Sequence, residues 1–263
     1  MKIVAVANQK GGVGKTTTSV NLAACLAAMG RKILLIDLDP QGNATSALGM
    51  SSTEEKSCYG PLLGESALVD NITATRFENL SIVPADLDLA GVEIEVARLD
   101  DHLVRLRNAV APLRKKATYD YVLLDCPPSL GILMTNALAA ADQVLVPLQA
   151  EYFALEGLTR IMEVTEHLHS VNPGLKVEGI VMTMVDNRTN LSQQVVAEVK
   201  SHFPELIYAT AIPRSVRLGE APSFGKPIIE YDPSSLGAFA YTALAGEFMR
   251  RDSVAGKLPR KSV

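Results

Sequence analysis

A run of glycine, lysine and threonine near the beginning of the chain has the composition of a phosphate-binding loop. Residues 10–18 read KGGVGKTTT and match the short pattern K-G-G-x-G-K-T, whereas they fit the longer pattern G-x-x-x-x-G-K-[ST] poorly. Glycines allow consecutive backbone N–H groups to converge on a phosphate, because no Cβ blocks the turn or the approach of the ligand. The sequence therefore predicts a binding site for a nucleoside triphosphate.

Two side chains of this loop suit phosphate chemistry. Lys15 can reach the β- and γ-phosphates, and the hydroxyl of Thr16 can coordinate Mg²⁺. The helix predicted to follow would direct its partly positive N-terminus at the same anion. The residues predicted to hold the nucleotide are Lys10, Gly11, Gly12, Val13, Gly14, Lys15, Thr16 and Thr17.

Three aspartates that end apolar segments could complete this chemistry. Asp125 ends the run YVLLD, where a phosphate-loop enzyme needs an acid to hold the Mg²⁺ shell. Asp37 and Asp39 lie two residues apart in LLIDLDPQGN and would share a direction if the extended backbone continued. One of them could orient or deprotonate an attacking water. The alternative for Asp125 is a carboxylate that only caps the next turn, and for Asp37 and Asp39 it is a pair of solvated acids in a turn.

The hydrophobic pattern predicts the scaffold that would bring these residues together. Apolar runs predict strands at 2–8, 32–37, 80–84, 121–125, 143–148, 177–185 and 207–212. Helical segments are predicted between them at 17–29, 87–116, 155–171, 192–203 and 235–250. This alternation predicts an α/β fold of the P-loop NTPase type, with a mainly parallel twisted sheet and helices on both faces. Ligands of such sheets bind at the carboxyl ends of the strands.

Length and composition restrict the class of protein. The 263 residues are expected to form one domain over 1–250, followed by a flexible polar tail over 251–263. No C-x-x-C pair is present, and Cys25, Cys58 and Cys126 are widely spaced. This spacing argues against a zinc site and predicts a reducing, cytoplasmic environment. No apolar stretch approaches the roughly 20 residues that a membrane span needs, so no membrane partner is expected.

Three motifs together resemble the ParA/Soj family of partitioning ATPases, within the MinD/ParA group that carries a deviant Walker A motif. They are KGGVGKTTT, DLDPQGNAT and YDYVLLDCPPSLG. The segments EYFALEG, RTNL and IPRSVRLGEAPSFGKPII are also similar to this family, so the resemblance covers about residues 2–250. It implies an ATPase for chromosome or plasmid partitioning, which uses ATP and Mg²⁺ and hydrolyses ATP slowly until a partner stimulates it.

The resemblance also implies roles for individual residues at the nucleotide. Lys10 would reach across an ATP-sandwich homodimer to the partner's phosphates, and Gly12 would lie at the close dimer contact. Asp39 would position the hydrolytic water. The residues implied to support Mg²⁺ are Thr16, Asp39 and Asp125, and those implied to border the adenine are Met184, Pro213 and Arg214.

A second set of residues is implied to bind double-stranded DNA without sequence preference. Arg188 and Arg217 are the principal candidates, and Lys200, Lys226 and Arg250 are weaker ones. The net charge of −4 requires that any DNA contact be a local basic patch. Such contacts release counterions, so affinity should fall steeply with salt. The implied partner that stimulates hydrolysis is a ParB/Spo0J-like centromere-binding protein, and the implied location is the nucleoid within the cytoplasm.

Three alternatives lead to different functions. A MinD-like membrane ATPase would need an amphipathic C-terminal helix, but Gly256 and Pro259 interrupt a tail with few large apolar residues. A relative of the nitrogenase iron protein would need two suitably placed cysteines in each subunit to share an Fe–S cluster. A nucleotide-dependent scaffold without productive hydrolysis is disfavoured by the presence of Asp39.

Overall fold

A seven-stranded sheet forms the centre of the protein in a computed structural model that describes residues 1–51 and 56–255. The strands are β1 (Lys2–Val6), β2 (Ile33–Asp37), β3 (Thr73–Ala74), β4 (Leu80–Val83), β5 (Tyr121–Asp125), β6 (Gln143–Gln149) and β7 (Lys176–Thr183). Their order in the sheet is β3-β4-β2-β5-β1-β6-β7, and every neighbouring pair except β3–β4 is parallel. The predicted mainly parallel sheet is confirmed.

Helices cover both faces of this sheet. They are α1 (Lys15–Ala28), α2 (Asn43–Ala47), α3 (Tyr59–Leu63), α4 (Leu89–Val96), α5 (Arg105–Lys116), α6 (Ile132–Ala140), α7 (Ala154–His167), α8 (Asn190–His202), α9 (Val216–Glu220), α10 (Ile228–Tyr231) and α11 (Leu236–Ala255). Along β2 the buried side chains alternate between two apolar cores, with Leu34 and Ile36 in one and Ile33 and Leu35 in the other. One core contains residues of α3 to α8, and the other contains residues of α1, α2 and α9 to α11.

The helix predicted over 87–116 is instead two helices, because a distant side chain takes over hydrogen bonds at the break. Helix α4 ends at Val96 and α5 begins at Arg105. The buried side chain of Asn136, on α6, donates to the carbonyl of His102 and accepts the N–H of Leu106. These contacts satisfy backbone groups that a continuous helix would have paired internally.

The strand predicted over 207–212 is wrong for a similar reason. This segment has only isolated bridges to β7 and its extension, at Ile207 and Pro213. The carboxylate of Glu247, on α11, accepts the N–H groups of Ala209 and Thr210 at 2.8 and 2.9 Å. A side chain therefore provides the acceptors that a neighbouring strand would otherwise supply.

The C-terminal helix is longer than predicted, and residues 251–255 are helical instead of part of a loose tail. Arg251 donates to the carbonyls of Leu206 and Ile207 and lies 4.0 Å from the ring centroid of Tyr208. Asp252 accepts a hydrogen bond from the Tyr121 hydroxyl at 2.8 Å. The rest of the predicted tail, residues 256–263, lies outside the described residues.

Candidate nucleotide-binding site

The loop between β1 and α1 has a backbone conformation that requires glycine at two positions. Gly12 has φ 74° and Gly14 has φ 89°, both in the left-handed region. Gly14 is the N-cap residue of α1, so the helix begins within the loop and its partly positive N-terminus lies there. A Cβ on Gly11 or Gly12 would meet no heavy atom within 4 Å. The outer side of the loop is therefore open in the single chain.

A cavity of about 380 Å³ lies against this loop, and we call it the phosphate cavity. It is lined by Gly11, Gly12, Gly14, Lys15, Thr16, Thr17, Asp39, Gln41, Asn43, Pro128 and Met184. Lys15 is only 7% exposed, and its Nζ donates to the carbonyl of Lys10 at 3.1 Å. Burial lowers the pKa of Lys15, although the nearby carboxylate of Asp125 acts in the opposite direction. The fold thus brings Lys15, Thr16 and Asp39 to one cavity.

Asp125 is held by two hydroxyl groups of α1. Thr16 Oγ1 donates to one carboxylate oxygen at 2.8 Å, and Ser19 Oγ donates to the other at 2.7 Å. Asp125 is completely buried, and burial together with the neighbouring carboxylate of Asp37 raises its pKa to about 7. The sequence motifs do not single out Ser19, although its position one turn after Thr16 on the same helix is a usable signal.

The donor set around Asp125 fits Mg²⁺. Hydroxyl and carboxylate oxygens are its preferred protein ligands, and it usually binds through one or two of them together with water and phosphate oxygens. Over residues 1–51 and 56–255, no group of three or more His, Cys, Asp or Glu side chains could hold a metal by itself. Thr16 and Asp39 line the cavity, and Asp125 lies behind Thr16 and accepts its hydroxyl. This arrangement fits a metal held largely through the nucleotide.

The two aspartates at the end of β2 have different surroundings. Asp37 is fully buried, and it accepts hydrogen bonds from the Asp39 N–H and from both the N–H and the hydroxyl of Thr45. Asp39 lines the phosphate cavity and accepts the N–H of Gln41 at 3.0 Å. The condition under which the two carboxylates would share a direction is not met, because the strand ends at Asp37.

A second cavity of about 210 Å³ adjoins the first and shares Gly14, Thr17 and Met184 with it. It is lined by Gly14, Thr17, Thr183, Met184, Ile212, Pro213, Arg214, Ser215, Leu218, Gly219 and Tyr241. The three residues expected to border the adenine, Met184, Pro213 and Arg214, are all among them. The hydroxyl of Thr183 donates to the carbonyl of Val13 at 2.8 Å, which joins the end of β7 to the phosphate loop. Thr183 and Tyr241 are not among the predicted site residues, because no short motif marks them.

Lys10 is directed away from the phosphate cavity of its own chain. Its ammonium group forms an ion pair with Glu151, just after β6, and its side chain is 39% exposed. The backbone N–H of Lys10 donates to Asn8 Oδ1, and the Asn8 amide donates to the carbonyl of Pro147. The backbone of Lys10 is therefore anchored to β6, while its side chain is available at the surface.

The two principal arginines are exposed and paired with carboxylates of the same chain. Arg188 is 88% exposed and donates two hydrogen bonds to Asp186, which lower the pKa of Asp186 to about 2. Arg217 lies 3.0 Å from Glu220 and 3.4 Å from Asp232. Among the weaker candidates, Lys226 pairs with Glu230 at 3.4 Å. Lys200 lies on α8 and Arg250 on α11.

Comparison with known proteins identifies the family. A family model described as AAA domain matches residues 1–177. The sporulation initiation inhibitor protein Soj of Bacillus subtilis is 53% identical over 251 residues, which cover 94% of this chain and 97% of that protein. The chain belongs to the Soj/ParA family of chromosome-partitioning ATPases. The chromosome partitioning protein ParA of Caulobacter vibrioides is 49% identical over 96% of this Soj/ParA chain and 95% of that protein.

Solved structures of similar proteins share the fold of this Soj/ParA chain. Cobyrinic acid a,c-diamide synthase from Mycobacterium smegmatis, with bound ADP and magnesium, superposes with a TM-score of 0.84 at 35% identity and 100% coverage of both chains. The cell division ATPase MinD of Pyrococcus furiosus gives a TM-score of 0.78 at 28% identity, covering 95% of this chain and 98% of that one. The predicted P-loop ATPase fold is confirmed.

The comparisons and the structure differ in what they say about the nitrogenase-like and the MinD-like alternatives. Family membership selects a partitioning ATPase over a relative of the nitrogenase iron protein. None of the helices in the described part of the chain is long and apolar enough to span a bilayer. The MinD-like alternative depended on a C-terminal segment whose residues 256–263 lie outside the described ranges.

Proposed function

We propose that this chain is an ATP-driven switch in the partitioning of chromosomal or plasmid DNA. ATP and Mg²⁺ would close a homodimer, and the ATP dimer would bind double-stranded DNA without sequence preference on the nucleoid in the cytoplasm. A ParB-like centromere-binding partner would stimulate hydrolysis and release the subunits. The observation that carries this proposal is the position of Lys10, which lies in the phosphate loop and pairs with Glu151 outside its own phosphate cavity.

The cavity residues support a division of roles in ATP hydrolysis. Lys15 lies at the phosphate cavity and would neutralise the β- and γ-phosphates. Thr16 and Asp125 would hold Mg²⁺, which would offset the charge on the phosphate oxygens when bound. Asp39 would orient the attacking water. Met184, Pro213 and Arg214 would border the adenine in the adjoining cavity.

The open side of the phosphate loop supports a dimer formed across it. The left-handed backbone of Gly12 favours glycine in the single chain, and a Cβ there would meet nothing within 4 Å. This side of the loop therefore has room for a second copy to approach. A second copy approaching this loop would leave no room for a larger side chain there. Lys10 would then exchange Glu151 for the partner's phosphates. Because this would complete each site only in the dimer, hydrolysis by the isolated chain should be slow.

DNA binding by Arg188 and Arg217 would depend on the dimer for an electrostatic reason. Each arginine of the single chain is partly neutralised by its own carboxylates, and the chain carries a net charge of −4. A dimer presents each arginine twice to one duplex, so the number of phosphates neutralised doubles. Because counterion release scales with that number, the dimer should bind much more tightly than the monomer.

Substitution of the two lysines tests the proposal. Lys10→Ala should bind ATP nearly as well as the parent but should fail to dimerise with ATP and Mg²⁺ in sedimentation experiments. Lys15→Ala is the matched control in the same loop and should lose nucleotide binding itself. A normal ATP-dependent dimer of Lys10→Ala would contradict the role of Lys10 across the dimer.

A further inference from the structure

The loop that carries Asp39 is hydrogen-bonded at both ends to the carboxylate of Asp37. Asp37 Oδ1 accepts the N–H of Asp39 at 3.2 Å, at the beginning of the loop. Asp37 Oδ2 accepts the N–H of Thr45 at 2.9 Å and its hydroxyl at 2.8 Å, at the end of the loop. The two oxygens of one side chain thus contact both ends of residues 38–45.

Further contacts tie the same loop to the sheet. The Thr45 hydroxyl accepts the N–H of Ala85, just beyond β4, at 3.0 Å. The N–H of Leu38 donates to the carbonyl of Asp125 at 3.0 Å, and the side chain of Leu38 is fully buried. Asp39 lies within residues 38–45 and lines the phosphate cavity. Its position therefore depends on contacts made by residues that do not line the cavity themselves.

We propose that Asp37 is a positioning residue for ATP hydrolysis, which clamps both ends of the loop and so holds Asp39 at the phosphate cavity. This inference rests on the proposed role of Asp39 in orienting water. Asp37 is fully buried and does not line the cavity, and its two carboxylate oxygens accept hydrogen bonds from Asp39 and Thr45. It is therefore placed to hold the loop, whereas Asp125 accepts the hydroxyl of the cavity residue Thr16.

The location of Asp37 argues against a role in stability alone. It is the cross-strand partner of Asp125 in the sheet, so two buried carboxylates lie next to each other. Buried charges of the same sign raise the free energy of the folded chain. A neutral side chain could hold helix α2 at a smaller cost. A carboxylate offers two acceptor oxygens to three donors at once, which is what the clamp uses.

The Thr45 hydroxyl allows the clamp to be loosened without touching a cavity residue. Thr45→Val removes the hydroxyl contacts to Asp37 and Ala85 and keeps the shape of the side chain, whereas Thr45→Ser retains the hydroxyl. We expect Thr45→Val to lower the single-turnover rate at saturating ATP and Mg²⁺ by about tenfold to a hundredfold, as for other misplaced catalytic groups. The Kd for ATP should change by less than about threefold, because ground-state binding is not affected. Thr45→Ser should hydrolyse ATP at close to the parental rate.

Amide hydrogen exchange in the nucleotide-free chain measures the clamp independently of hydrolysis. Thr45→Val should speed exchange at Asp39 and Gln41, while exchange in β5 stays at the parental rate. Asp37→Asn is a second variant of nearly the same shape, for use if Thr45→Val folds poorly, and it should give the same pattern. An equal loss of ATP binding and hydrolysis in these variants, or a parental rate despite faster exchange, would overturn the proposal.

A comparison in the background of Asp39→Ala separates this inference from the proposed function. If the clamp acts through Asp39, Thr45→Val should cause no further loss of rate once Asp39 is removed. A further loss would show that the clamp acts through another group and would refute it. Parental hydrolysis by Asp39→Ala alone would instead remove Asp39 from the mechanism and leave the exchange result standing.

Discussion

Two completely buried carboxylates, Asp37 and Asp125, lie side by side at the ends of β2 and β5. Burial raises the pKa of Asp37 to about 6 and that of Asp125 to about 7. A folded-state pKa above the unfolded value means that the folded chain binds protons more readily than the unfolded chain. Stability should therefore fall as pH rises from the ordinary value near 3.8 to about 7.

Asp125→Asn should measure how much the buried carboxylate charge of Asp125 destabilises the folded chain. Removal of the buried charge should raise the stability of the nucleotide-free chain at pH 7.5 by about 1 kcal/mol or more, which corresponds to about 2–4 °C in Tm. The gain should shrink as the pH approaches 5, where Asp125 in the parent is already protonated in the folded state. Thermal unfolding at a series of pH values checks this expectation, and a loss of stability at neutral pH would contradict it.

At this scale the sequence predicts the residues that belong to a compact motif. Lys15, Thr16, Asp39 and Asp125 stand in recognisable runs, and the structure places them at or beside one cavity. The clamp made by Asp37 could not be predicted, because it depends on how the chain turns after β2. The contribution of Tyr241 to the second cavity was equally inaccessible, since α11 reaches α1 only through tertiary packing.

Among the elements, a contact between two glycines joins the segment after α2 to the turn after α9. A Cβ on Gly225 would lie 2.6 Å from the Cα of Gly49, and Gly225 has φ 61°. Arg76 reinforces this junction by donating to the carbonyl of Gly225 at 2.6 Å. Helix α2 follows the Asp39 loop and α9 carries Arg217, so the junction connects the nucleotide side of the molecule to one of the proposed DNA contacts.

Gly225→Ala should destabilise the chain, because backbone atoms on both sides of the junction cannot move aside cheaply. We expect a loss of about 2–4 kcal/mol, from overpacking together with the strain of a left-handed alanine. Gly219→Ala is a matched control on α9, where an added Cβ would meet nothing within 4 Å. Urea unfolding of both variants measures the difference, and equal stabilities would contradict the close contact.

The predictions of secondary structure fail where side chains from other elements replace backbone hydrogen bonds. The break after α4 and the irregular segment after α8 depend on Asn136 and Glu247, which lie far away in the sequence. Strand β3 was also missed, because it comprises only Thr73 and Ala74 and pairs with a single neighbour. The central strands were predicted well because their apolar runs are continuous, as buried parallel strands require.

Over the whole molecule, the nucleotide site and the proposed DNA contacts lie towards the carboxyl ends of the parallel strands. The phosphate loop follows β1, and Arg188 follows β7. Arg114, in contrast, is near the end of α5 and pairs with Asp142 just before β6. This pair lies at the amino ends of the parallel strands. This separation provides an internal control for any test of DNA binding, since both arginines are exposed and paired with an aspartate.

The most direct test is binding to random-sequence duplex DNA with ATP, with ADP and without nucleotide, each across a salt titration. We predict binding only with ATP and Mg²⁺, with an affinity that falls steeply as salt increases. Arg188→Glu should abolish this binding and leave the ATP dimer intact, whereas Arg114→Glu should bind nearly as the parent does. Equal binding in all nucleotide states, or equal losses in the two variants, would contradict an ATP-switched DNA contact at Arg188.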